Sequence, residues 1–183
     1  MTINLEGRAT VSPQFMEVHK SSISHPLQID SLAAGKGGGN IGLTLCPGKK
    51  QMSAYSGTWN RDLHADLQII NTFGARALVT LTEDDELETV HVPVQVLSAR
   101  SAEQGIKWHH LPIHDTCVPD ERFEDLWTYS DLHLRTLPRS GENIVIHCKG
   151  GLGRTGTIAA RLLVEMGSDP EDAIKAVRKA RPG

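Results

Sequence analysis

A cysteine and an arginine separated by five residues stand within the sequence HCKGGLGRTG, residues 147–156. Three of the five intervening residues are glycines, which permit the left-handed angles of a tight turn and keep side chains out of its centre. Successive N–H groups of such a turn can converge on one anion, and the planar fork of Arg154 can hold two phosphate oxygens. The segment therefore predicts a phosphate-binding loop formed by Lys149, Gly150, Gly151, Leu152, Gly153 and Arg154.

Cys148 directly follows an apolar run, Asn143–His147, and directly precedes the glycine turn and a predicted helix. Helix N-termini and nearby cations favour the thiolate form of a cysteine. A thiolate at the bottom of an anion-binding cup is a nucleophile that can attack a bound phosphate ester. The alternative is a buried cysteine that ends a core strand before a flexible connector. The spacing alone arises easily by chance, but its combination with a strand, three glycines, a hydroxyl residue and a helix does not.

The elements that position these residues alternate between strand and helix, which predicts an α/β fold with a mostly parallel sheet. Apolar runs predict strands near Leu27–Ile29 and at Ile41–Leu45, Ala77–Leu81, Ile106–Ile113 and Asn143–His147. Helical spacing and capping residues predict helices at 58–73, from Pro93 to about Gln104, at 120–137, from about Arg154 to Met166, and from Pro170 to about Ala180.

The segment HCKGGLGRTGT resembles the signature His-Cys-x5-Arg-(Ser/Thr) of the cysteine-dependent protein-tyrosine and dual-specificity phosphatases. The segments IGLTLCPGKK (41–50), 58–73 and WHHLPIHDTCVPD (108–120) are similar to the kinase-associated phosphatase (cyclin-dependent kinase inhibitor 3) type of that family. The resemblance covers about residues 40–183. It implies a single-domain protein-tyrosine-phosphatase-like fold, with a central mostly parallel sheet of four to five strands flanked by helices.

Cleavage of a phosphate ester needs a proton for the leaving oxygen, which a carboxyl group on a loop can supply. Asp115 follows a predicted strand and should emerge at the same sheet edge as Cys148, although it could instead be a turn residue. Asp120 is a rival that more simply caps the following helix. The resemblance implies that Asp115 is the acid and that the Thr155 hydroxyl stabilises the departing thiolate. Thr155 could also be only a helix N-terminal residue.

Several other patterns are weaker. Gly37-x-Gly39-x-x-Gly42 spells a dinucleotide fingerprint, but it precedes a strand and no helix follows. His109, His110 and His114 lack a partner pair with the spacing of a metal site. We expect neither cofactor nor metal, because the loop itself can stabilise charge. The acidic run 83–86 follows a predicted strand, so it either borders the cleft or is a solvated helix start.

Composition bounds the class of protein. The chain has 183 residues, of which 39% are hydrophobic and 22% charged, as expected for one globular domain. A net charge of −3 argues against a nucleic-acid binder held by overall charge. The absence of a signal sequence, of an apolar run of about 18 residues and of a disulfide framework leads us to expect a cytoplasmic protein with no membrane partner.

Residues 1–26 lack periodicity and are predicted to form an N-terminal arm, and residues 27–183 the catalytic domain. Relatives usually continue through a further helix beyond the position of Gly183, so we expect either a truncated domain or a following one.

The sequence thus predicts a hydrolase that removes phosphate from phosphotyrosine, phosphoserine or phosphothreonine through a cysteinyl-phosphate, with a phosphoprotein, such as a kinase, as its substrate. Two alternatives remain: a non-catalytic phosphoprotein-binding module and a rhodanese-type sulfurtransferase. Lys149 could reach a second phosphate, or an acidic neighbour of the target residue, or be a solvated lysine at the rim. Cys46 and Cys117 are both candidates for a disulfide with oxidised Cys148.

Overall fold

Strands and helices alternate along the part of the chain that the computed structural model describes, residues 19–54 and 57–182. The strands are β1 (Lys20–Ser21), β2 (Asp30–Ala33), β3 (Asn40–Leu45), β4 (Lys50–Ala54), β5 (Gly57–Asn60), β6 (Ala75–Thr80), β7 (Lys107–His110) and β8 (Asn143–Cys148). The helices are α1 (Leu63–Thr72), α2 (Asp84–Thr89), α3 (Val94–Glu103), α4 (Glu121–Arg139), α5 (Gly153–Glu165) and α6 (Pro170–Ala180).

A five-stranded sheet with the order β2-β3-β8-β6-β7 forms the centre. Its last four strands are parallel, and β2 pairs antiparallel with β3 at one edge. Leu45 is the register partner of Cys148 on one side, and Thr80 is the register partner of His147 on the other. The predicted mostly parallel sheet is confirmed. The ends of β3 and β6 flank the end of β8.

The central strand is buried on both faces, as its apolar sequence predicts. Ile144 and Ile146 join an apolar cluster with residues of α4, α5 and α6, whereas Val145 joins a second cluster with residues of α1, α2 and α3. Alternate residues of a strand point to opposite faces, so one strand contributes to both cores. Within the described ranges, no helix is long and apolar enough to cross a bilayer.

A second, three-stranded sheet with the order β1-β5-β4 differs from the sequence-based expectation. The predicted helix over 58–73 is wrong at its start, because residues 57–60 pair with β4 as a strand and the helix begins only at Leu63. The Asp62 side chain accepts a hydrogen bond from the Ala65 N–H and caps that helix. The strand predicted at Leu27–Ile29 instead begins at Asp30, where pairing with β3 starts.

The predicted N-terminal arm falls partly outside the described residues, which begin at position 19. Within 19–26, Lys20 and Ser21 pair with β5, and the buried Ser22 donates a hydrogen bond to Asp66 Oδ1 at 2.8 Å. The domain division at residue 26 stays a prediction.

A buried ion pair between Arg61 and Asp66 contacts the loop between β3 and β4. Arg61 Nε and Nη2 donate to the two carboxylate oxygens of Asp66 at 2.7 and 2.8 Å. Asp66 Oδ2 also accepts from the Gly48 N–H at 2.8 Å, and the Lys49 carbonyl accepts from the Arg61 N–H at 3.1 Å. The pair therefore fixes the loop that leaves β3 beside Cys148.

We expect Asp66→Ala to lower the free energy of unfolding by about 3–5 kcal/mol, because it leaves the buried Arg61 guanidinium without its counter-charge. Glu142→Ala is the matched control, since it breaks the Arg76–Glu142 pair, whose side chains are 63% and 41% exposed; its loss should stay within about 1 kcal/mol. Urea unfolding of both variants measures the difference. Equal losses would contradict a structural role for the buried pair.

Candidate active site

The loop between β8 and α5 curls beneath the end of β3. Gly151 has a φ of +75°, and a Cβ atom there would lie 2.3 Å from the Thr44 carbonyl oxygen, so only glycine fits. Its N–H donates a hydrogen bond to Cys148 Sγ at 3.2 Å. Cys148 is buried, and its side chain ends β8 at the bottom of a cleft of about 540 Å³.

Arg154, in the first turn of α5, is held by groups from two other segments, α2 and the loop after β7. Its Nη1 and Nη2 donate to the two carboxylate oxygens of Glu86 at 2.5 and 3.0 Å. Nη1 also donates to the Ile113 carbonyl at 2.9 Å, and Nη2 lies 3.0 Å from Asp115 Oδ1. The guanidinium is therefore fixed in one plane at the wall of the cleft.

Glu86 binds the Arg154 guanidinium, a role that the sequence analysis did not assign to it. It lies in the first turn of α2, in a reciprocal capping arrangement with Glu83. Burial raises its pKa, but the hydrogen bond and charge of Arg154 outweigh burial and hold it below the usual range. The acidic run is therefore a helix start, and its last residue, Glu86, contacts Arg154 at the wall of the cleft. Its place after β6, at the sheet edge where Cys148 emerges, was the available signal.

Asp115 reaches the cleft from the loop that follows β7. Its side chain is 63% exposed, and its Oδ1 also accepts from the Thr116 N–H at 3.1 Å. The structure thus brings Cys148, Arg154 and Asp115 to one cleft. Asp120 is the cap of α4, where it accepts a hydrogen bond from the Phe123 N–H at 2.9 Å.

Two further polar side chains are buried beneath the loop. The hydroxyl of Thr155 has no hydrogen-bond partner among the described residues, so it is free to donate to a group in the loop. His147 Nε2 lies 2.8 Å from the Thr80 hydroxyl, which also accepts from Trp108 Nε1 at 2.8 Å. Burial lowers the pKa of His147 to about 3, so the ring is neutral at pH 7.

The three histidines that the sequence placed close together, His109, His110 and His114, contact different partners. His109 contacts Ser130 and His133, His110 contacts the Thr82 carbonyl, and His114 contacts Glu83. Their rings do not converge on one point.

The three cysteines are all free thiols. Cys117 is exposed and lines the cleft with Cys148, whereas Cys46 is buried and follows the register partner of Cys148. Burial raises the pKa of Cys46 to about 12. A disulfide between either one and Cys148 on oxidation stays a prediction.

Known proteins of one family resemble this chain in sequence. The family described as "PTP-SAK: Swiss Army Knife protein, DSP-PTPase phosphatase domain" matches residues 51–182. Cyclin-dependent kinase inhibitor 3 is 29% identical over 143 residues in Rattus norvegicus and 31% identical over 148 residues in Homo sapiens. Each match covers 77% of this chain and 63% of the relative, so the chain spans less than two thirds of these relatives' length. The chain belongs to the DSP-PTPase phosphatase domain family.

Solved structures show the same architecture. Kinase associated phosphatase, with its catalytic cysteine substituted by serine, has a TM-score of 0.71 and 27% identity, covering 85% of this chain and 84% of that one. Tk-PTP in its active form has a TM-score of 0.56 and 25% identity, covering 84% and 86%. The resemblance to the kinase-associated phosphatase type is confirmed, and so is the protein-tyrosine-phosphatase-like fold.

The buried neutral His147 predicts a loss of stability in mild acid. Below its ordinary pKa of 6.5 the ring gains a proton in the unfolded chain, but in the folded protein it does so only near pH 3, so stability falls as pH falls through that window. We expect this residue alone to cost about 2 kcal/mol between about pH 7.5 and about pH 5. Urea unfolding of wild type and His147→Gln at the two pH values measures how much of the change in the free energy of unfolding comes from His147.

Substitution of the exposed His64 by Gln provides the control, because its ring lies in solvent. An identical pH dependence in wild type and His147→Gln would contradict the inference that burial keeps His147 neutral.

Proposed function

We propose that this chain is a protein phosphatase that hydrolyses phosphotyrosine, phosphoserine or phosphothreonine through a cysteinyl-phosphate. The observation that carries the proposal is the meeting, on one cleft, of Cys148 and Arg154 from the segment at the end of β8 with Asp115 from the loop after β7. A nucleophile, an anion holder and a proton donor are the three groups that such a reaction needs. Membership of the phosphatase family supports the same activity.

In the first step, Cys148 Sγ forms a bond to phosphorus, and the bond from phosphorus to the leaving oxygen breaks. Arg154 and the N–H groups of the loop hold the equatorial oxygens, and Asp115 gives its proton to the leaving oxygen. In the second step, Asp115 takes a proton from water as that water attacks phosphorus, and the sulfur–phosphorus bond breaks. The buried Thr155 hydroxyl, which has no other partner in the described residues, donates to the departing thiolate.

The contact between Arg154 and Asp115 gives the loop a way to couple binding to proton transfer. Nη2 is 3.0 Å from Asp115 Oδ1 and 3.0 Å from Glu86 Oε1. A phosphate dianion in the loop competes with the exposed Asp115 for Nη2, while the less exposed Glu86 keeps the guanidinium in plane. Asp115 is then released toward the leaving oxygen. In this scheme Glu86 acts as a positioning residue.

The names of the relatives support one class of substrate. Their names describe a cyclin-dependent kinase inhibitor and a kinase associated phosphatase. We therefore propose a phosphoprotein substrate, with protein kinases as the first group to test.

We expect the wild type to hydrolyse p-nitrophenyl phosphate in the presence of EDTA, and Cys148→Ser to lose more than about 10³-fold in kcat, because serine lacks a thiolate. Cys117→Ser, which changes an exposed cysteine on the same cleft, serves as the matched control and should retain turnover. Binding of phosphopeptide to Cys148→Ser, followed by calorimetry, checks that the loop is intact.

Turnover by Cys148→Ser would overturn the nucleophile assignment. Phosphopeptide binding without turnover in the folded wild type would instead establish the binding-module alternative.

We expect Asp115→Ala to slow hydrolysis of phenyl phosphate, a poor leaving group, by roughly 10²–10⁴-fold. The same variant should slow p-nitrophenyl phosphate hydrolysis little, since that leaving group needs no proton. Asp120→Ala removes the other carboxylate of the loop, a helix cap, and should leave the ratio between the two substrates unchanged. Equal losses on both substrates in Asp115→Ala would count against Asp115 as the acid.

A further inference from the structure

Two lysines on the cleft have no carboxylate partner among the described residues. Lys49 and Lys149 both line it, and no hydrogen bond or ion pair joins either ammonium group to a residue in ranges 19–54 and 57–182. Lys49 is only 5% exposed, and the Trp59 ring lies 5.4 Å from its Nζ. Buried charges are ordinarily paired. By contrast, the charge of Arg154 is already offset by Glu86 and Asp115.

The position of Lys49 is fixed by its backbone. The preceding N–H, from Gly48, bonds to Asp66, and the Lys49 carbonyl accepts from the Arg61 N–H. Gly48 itself has a φ of +74°, and a Cβ there would lie 2.7 Å from Leu63 Cβ. The buried Arg61–Asp66 pair thus holds this lysine at the cleft before any ligand arrives, and burial lowers its pKa. Since no carboxylate of the described residues pairs with this lysine, a bound anion would supply a counter-charge.

A third group of the cleft lining also has no partner among the described residues. Gln51 lines the cleft, and its Oε1 is buried without a hydrogen-bond partner in the described part of the chain. A buried polar atom left without a partner costs about 1–3 kcal/mol. Rotation of the amide places Nε2 at that position, where it can donate to a bound anion.

We propose that Lys49, Gln51 and Lys149 form a second anion subsite, which binds a second phosphate on the same protein segment as the phosphate under attack. This inference rests on the proposed phosphatase function and adds to it a preference for doubly phosphorylated segments. In this scheme the phosphate under attack binds Arg154 and the loop N–H groups, and the two lysines bind the second phosphate.

The rest of the cleft favours a peptide over a polyphosphorylated small molecule. Its other lining side chains include Thr116, Cys117, Leu152 and Thr157, none of which carries a positive charge. Leu152 is 49% exposed. A ring with phosphates on several sides would need cations on each of them, whereas a peptide needs one additional anion site and an uncharged surface.

The test compares two peptides that share one hydrolysable phosphotyrosine or phosphothreonine. One carries alanine at a position one or two residues away, and the other carries a non-hydrolysable phosphonate there. We expect wild type to have about tenfold higher kcat/KM for the phosphonate peptide, which corresponds to about 1.4 kcal/mol. Lys49→Met should reduce this ratio to about one, and Lys49→Arg should retain most of it. Because the ratio is taken within one protein, a partial loss of folded material cancels.

Lys50→Met is the matched control. Lys50 is the next residue along the chain, is exposed and does not line this cleft, so this variant should keep the wild-type ratio.

A ratio near one in wild type at every spacing, with p-nitrophenyl phosphate still hydrolysed, would overturn the subsite alone. A wild-type ratio that survives in Lys49→Met would do the same. Absence of all turnover would instead contradict the proposed function. A higher kcat/KM for inositol bisphosphates than for the best peptide, lost in Lys49→Met, would overturn the peptide assignment.

Discussion

The two-pronged contact between Arg154 and Glu86 is the interaction on which the geometry of the cleft depends. The Arg154 side chain is 4% exposed, and such a burial of charge is costly without a partner. Glu86 provides that partner, and the Ile113 carbonyl takes a further N–H. The contact therefore ties α2, the segment after β7 and the first turn of α5 into one frame. Asp115 contacts the same guanidinium through Nη2.

The parts of the fold that could be predicted from the sequence are those where local pattern and tertiary burial agree. β3, β6 and β8 are apolar because they are covered on both faces, and each was expected near its observed position. β4 and β5 carry no such pattern. β5 pairs with β4 on one side and with β1 on the other. The start of α1 was misplaced because the apolar spacing defines the buried face of a helix, whereas the Asp62 cap defines its first turn.

The candidate site shows the same division. Cys148, Arg154 and the glycines lie in one short segment, so their types and spacing predicted a loop. Asp115 could be predicted because it follows a predicted strand. Glu86, Lys49 and Gln51 lie far from Cys148 in the sequence, and no motif assigned them to the site. Lys49 reaches the cleft because β3 is in register with β8 at Cys148, and because a buried ion pair holds the loop after β3. Register and buried pairing are tertiary properties that no local pattern encodes.

Charge in the cleft is opposite in sign to charge on the whole chain. The net charge is −3, so attraction of a phosphoprotein cannot arise from the protein's overall field and must be local. In the structure, Glu86 and Asp115 offset Arg154, while Lys49 and Lys149, which line the same cleft, form no ion pair with a described residue. A phosphate dianion that displaces Asp115 from Arg154 removes one of these carboxylates from the guanidinium and takes its place. The lysine charges are still available after that exchange, and this surplus is the physical reason to assign them to a second anion.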